Sequence, residues 1–63
     1  MDPVQQLFMN IQSQKYKIQD CQNQQKSQTD PAVVAAYKTI EAMHQATLND
    51  LNAQLATALQ NSL

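Results

Sequence analysis

One tripeptide, Thr29-Asp30-Pro31, lies near the middle of the 63 residues and decides what the chain can fold into. Proline has no N–H to donate and disfavours the helical conformation in the residue before it, so a helix arriving from the N-terminal side must end there. Proline also suits the first position of a new helix, where no N–H is needed. Thr29 or Asp30 can cap that new helix by accepting a hydrogen bond from its first turn, and the charge of Asp30 suits the positive end of the helix dipole. Asp2-Pro3 repeats the arrangement at the start of the chain. The pattern predicts an all-α antiparallel hairpin in a single domain, 1–63. Its parts are a helix over 3–28, a turn at 29–31 formed by Thr29, Asp30 and Pro31, and a helix over 31–61. A chain this short buries too little apolar surface to be comfortable alone, so packing into a dimeric or higher helical bundle is expected.

Composition excludes much else. There is no glycine, which disfavours the tight turns of an all-β fold. A net charge of −1 gives no field that would draw the chain to nucleic acid or anionic lipid. The single cysteine, Cys21, has no partner for an internal disulfide and fits a reducing compartment. No apolar run is long enough to span a bilayer, and the N-terminus lacks the charged-then-apolar pattern of a signal peptide. The expected location is the cytoplasm, or beyond it by a dedicated route that needs no such signal.

In the first helix, Val4, Ile11 and Ile18 recur every seven residues, with Leu7, Gln14 and Cys21 as the companion set and Phe8 beside them. This is a heptad seam, the pattern of a helix packed on another helix. It weakens along the chain, because Gln14 is polar and Gln22 to Gln28 is polar throughout; that last stretch is expected to be helical but prone to fray. Met9 and Tyr16 lie one heptad apart on the opposite side, either as the scattered surface apolars common to small proteins or as a second face for a partner helix.

The second helix carries Val33, Tyr37, Ile40, His44, Leu48, Leu51, Leu55 and Leu59 at spacings of four, three, four, four, three, four and four. These spacings sum to an eleven-residue repeat, which keeps one apolar stripe along a nearly straight helix. Together with Leu7, Phe8, Ile11 and Ile18, these apolar positions are the expected packing and partner-binding residues. Ala35, Ala42, Ala46 and Ala53 gather opposite the stripe, where alanine serves as the best helix former. Lys38, Glu41 and Asp50 read as a solvated face.

No cluster of acids, bases or nucleophiles is present, so no enzyme, catalytic residue, metal or cofactor is expected. His44 has no second ligand at metal-binding spacing. A Cys21–His44 dyad is disfavoured, because counting outward from the turn offsets the two by roughly 7 Å along the helices. Lys15, Lys17 and Lys26 do not form the cationic row that RNA would require, and Tyr16 is the one aromatic near them. The expected partner is protein: a second copy of the chain, a helix of another protein, or both.

The run Thr29-Asp30-Pro31-Ala32-Val33-Val34-Ala35-Ala36-Tyr37 resembles the segment that joins the two helices in needle subunits of bacterial type III secretion systems. There a Ser-Asp-Pro-Ala-Leu-Leu-Ala-Ala-Tyr type of sequence opens the second helix, at the same place in the hairpin. The resemblance implies an exported subunit that polymerises helically into a hollow filament and is held by small helical chaperones beforehand. It also implies that Asp30 and Pro31 shape the inter-helix loop and that Val33, Val34 and Tyr37 start the packing face. The match covers nine of the 63 residues. The second helix is shorter than in such subunits, and the ending Leu59-Gln60-Asn61-Ser62-Leu63 is more polar than theirs. The small co-chaperones of the same systems are helical hairpins too. In length and turn position alone, the chain is similar to Rop, the RNA-binding hairpin that forms a dimeric four-helix bundle; that likeness implies binding to structured RNA.

Overall fold

The computed structural model describes residues 2–62. Two helices, α1 (Pro3–Ser27) and α2 (Pro31–Asn61), lie side by side as a hairpin about 49 × 16 × 13 Å. Both begin by the same chemistry. The Asp2 carboxylate accepts a hydrogen bond from the Val4 N–H at 2.9 Å, and the Asp30 carboxylate accepts one from the Ala32 N–H at 2.9 Å. Each satisfies a donor that the first helical turn leaves free, and each is followed by a proline whose missing N–H costs nothing there.

The turn is Gln28 to Asp30, so α1 ends one residue earlier than the sequence pattern predicts and Pro31 belongs wholly to α2. Gln28 is already extended, at φ −90° and ψ 143°, while its N–H still donates to the Gln24 carbonyl at 3.0 Å. Asp30 is also extended, at φ −81° and ψ 118°. No described residue has positive φ. A three-residue link therefore reverses the chain without the left-handed residue that would call for glycine.

The apolar core is small. Ile11, Ile18 and Leu48 form it, with Leu51 and Leu55 packed against them and Cys21 buried along the same face of α1. On α1 the inward positions Val4, Leu7, Ile11, Gln14, Ile18, Cys21 and Gln25 follow the expected heptad.

On α2 the structure departs from the eleven-residue reading. The inward positions are Val33, as expected, and then Val34, Tyr37, Glu41, His44, Leu48, Leu51, Leu55 and Ala58, which alternate by three and four. Ile40 and Leu59, expected on the stripe, are 41% and 45% exposed, and their places are taken by Glu41 and Ala58. α1 sets this choice. A helix with a heptad seam must be met by a helix with the same period if knobs and holes are to stay in step. Leu59 has a second reason to be exposed: α2 has 31 residues against 25 in α1, so its last turn runs past the described end of its partner.

Candidate functional site

The polar residues of the two seams face each other. His44 Nδ1 and Gln14 Oε1 are 2.9 Å apart, both side chains half-buried. With the amide oxygen toward the ring, Nδ1 carries the hydrogen and donates. Nearer the turn, the Gln25 amide donates to one oxygen of Glu41 at 2.7 Å, and the Gln22 amide donates to the other at 3.0 Å. Glu41 is thus not part of a solvated face, as its spacing from Lys38 suggests. It is half-buried and held by two glutamines of α1. The polar end of α1 is helical through Ser27, as expected, and is tied to α2 by this carboxylate. No described side-chain polar atom is left buried without a hydrogen-bond partner, which is what an otherwise apolar seam requires if it is to hold polar groups.

The clamp shifts the acid. The hydrogen bond from Gln25, and then that from Gln22, favour the ionised carboxylate, and Lys38 adds to them; partial burial opposes them. The net effect holds Glu41 below the usual glutamate value. A depressed folded-state pKa contributes stability that is present above the unfolded value of about 4.3 and is lost as pH falls through the folded one. Thermal melts between about pH 6 and pH 3 should therefore show an acid-dependent loss that Glu41→Gln lacks. Glu41 is the only glutamate in the chain, so the difference between the two curves isolates it. Identical curves would show that the clamp does not form in solution.

Cys21 and His44 do not meet. His44 bonds Gln14, seven residues and roughly 10 Å along α1 from Cys21. Cys21 is a free thiol only 4% exposed, which makes it a small apolar seam residue unable to reach a second chain while the hairpin is closed. Among the described residues, no three His, Cys, Asp or Glu side chains gather where they could hold a metal ion. No described helix is long and apolar enough to cross a membrane.

What the molecule offers instead is surface. Of the expected packing residues, Ile11, Ile18 and Leu48 are buried; Leu7, Val33, Tyr37, Leu51 and Leu55 are half-buried; Phe8, Ile40 and Leu59 face outward. Met9 and Tyr16 are exposed on the back of α1 and line a shallow, mostly apolar groove with Gln12, Ser13 and Lys17. Met43, which the sequence pattern did not single out, is 65% exposed on α2. The signal was there: Met43 lies three residues from Ile40, one helical turn along the same flank. Val34 is half-buried with Val33 and Tyr37 at the start of α2.

The two sides of the hairpin differ. One carries an open groove lined by Gln22, Gln25, Lys26, Val34, Lys38 and Glu41. The other brings Thr47 and Leu51 of α2 beside Asn10, Ser13, Gln14 and Lys17 of α1. Lys26 and Lys38 meet in the first groove, but with the Glu41 carboxylate among them, so no uniform cationic surface results. No protein-family profile, curated protein or solved structure matches the chain.

Proposed function

We propose that this hairpin is a non-enzymatic assembly module that associates with itself or with a partner helix, of the kind found in type III secretion needle subunits or their co-chaperones. The observation that carries the reading is the disproportion between core and surface. Among the described residues four side chains are buried, whereas Phe8, Met9, Tyr16, Ile40, Met43 and Leu59 stand in solvent. A chain this small gains most of its remaining stability by covering such groups against another helix. The needle or co-chaperone identity rests on the Thr29–Tyr37 resemblance, supported by the Asp30 cap and the half-buried Val33, Val34 and Tyr37. RNA binding of the Rop kind has no comparable support, because the lysines that come together share their groove with a carboxylate.

Light scattering over a concentration series, with circular dichroism on the same samples, tests the reading. Growth into large polymers supports the needle type. A fixed helical oligomer supports a closed bundle and counts against the needle type. A poorly helical monomer supports an obligate partner. A fully helical monomer whose cooperative melting ignores concentration overturns the proposal.

A further inference from the structure

The seam of α2 displaces Ile40 outward, and this creates a second line along the helix. Ala36, Ile40, Met43 and Thr47 follow spacings of four, three and four, the same alternation as the seam but one residue behind it. All four are exposed. Val33, three residues before Ala36, is half-buried, so the line grows out of the core edge at that end; three residues after Thr47 the same alternation reaches Asp50, where the apolar line stops. From Ala36 to Thr47 it runs roughly 17 Å and carries no charge. Thr47 turns its hydroxyl back to the Met43 carbonyl at 3.2 Å, which spends its donor within the helix. Asp50 lies beyond the line and accepts from Gln54 at 2.8 Å.

Heptad spacing means the occupant of this line is a helix. We propose that it is the same line of a second copy, with the two α2 helices antiparallel about a two-fold axis between Ile40 and Met43. This deepens the assembly reading and rests on it. Three observations select a second copy. The line is palindromic in size: small Ala36, large Ile40, large Met43, small Thr47. Reversed against itself, it places Ile40 against Met43 twice at the centre and Ala36 against Thr47 at each end, as an isologous contact requires. It is uncharged, so a two-fold sets no like charges against each other. And the hairpin exposes 4598 Å², about 500 Å² above the roughly 4,100 Å² of a compact chain of 7.1 kDa. That excess is well over half of the roughly 800 Å² that each partner buries in a stable interface.

The test is sedimentation equilibrium with circular dichroism on the wild type, Ile40→Asp/Met43→Asp, Ile40→Ala/Met43→Ala and Met9→Glu/Tyr16→Glu. Neither Ile40 nor Met43 is in the hairpin core, so the variants should keep their helicity. The expected result is a wild-type dimer, a helical monomer for the Asp pair, a dimer weakened roughly a hundredfold for the Ala pair, and an unchanged dimer for the Met9/Tyr16 pair. If the Asp pair loses helicity, the Ala pair decides: an undiminished dimer overturns the assignment. A wild-type chain that associates equally well with the α2 variants also overturns it while leaving the assembly reading intact. A helical wild-type monomer at every concentration overturns both.

Discussion

Leu48→Ala should remove most of the helical signal at 25 °C. Leu48 is 8% exposed and is the one residue of α2 in the buried core, where it meets Ile11 and Ile18. Truncating a buried leucine costs about 2–5 kcal/mol. A single core in a chain below about 70 residues rarely supplies more than 3–5 kcal/mol, so the loss is comparable to the whole. Alanine is also a better helix former than leucine, so any fall in helicity must come from lost packing and not from local propensity. Urea titrations followed by circular dichroism at matched protein concentration would measure it. Thr57→Ala, on the exposed side of the same helix, should stay within about 0.5 kcal/mol of the parent. If Leu48→Ala melts like the parent, the hairpin core is not what holds the helices.

The second large effect concerns the Gln14–His44 pair, and its sign depends on whether one or both residues change. Gln14→Leu leaves the His44 N–H facing an apolar side chain, and His44→Leu strands the Gln14 amide. Each should cost about 1 kcal/mol, the low end for an unsatisfied polar group because both sites are half-buried. Replacing both removes the need for a hydrogen bond and adds two leucines to the seam. The double variant should exceed the parent by roughly 1–2 kcal/mol, which raises Tm by several degrees in a domain of this size. The gain has a cost in uniqueness, because a polar pair within a heptad seam fixes which residues meet. A double-mutant cycle in which the single changes add to the double would show that the two side chains do not interact.

The pair also shows where sequence reasoning stops. Gln14 stands out as the polar member of a heptad set, and His44 stands out on an apolar stripe. That they answer each other depends on the register between the helices, which neither helix fixes alone. The caps and the turn were legible because Asp-Pro acts through its nearest neighbours. The α1 seam was legible because Val4, Ile11 and Ile18 repeat without ambiguity. The α2 seam departs from the apolar pattern at Ile40, because apolar character alone does not mark an inward position. The period of the facing helix decides instead, and it places Glu41 there, opposite the glutamines that close the seam. Met9 and Tyr16 stood apart from the start, as outward residues one heptad apart.

The distribution of contacts along the hairpin has a consequence for how the chain reaches this state. Nearer the turn the helices are joined by Glu41 and two glutamines beside the small thiol of Cys21, whereas the apolar cluster of Ile11, Ile18 and Leu48, with Leu51 and Leu55 against it, lies toward the open end. The pairs nearest in sequence are therefore the weaker ones, and the apolar cluster requires a loop of roughly thirty residues or more to close first. Loop closure of that length is unfavourable entropically before any burial offsets it. Folding should then be slower than for helical hairpins whose apolar pairs begin at the turn, with a rate set by when the two far ends meet.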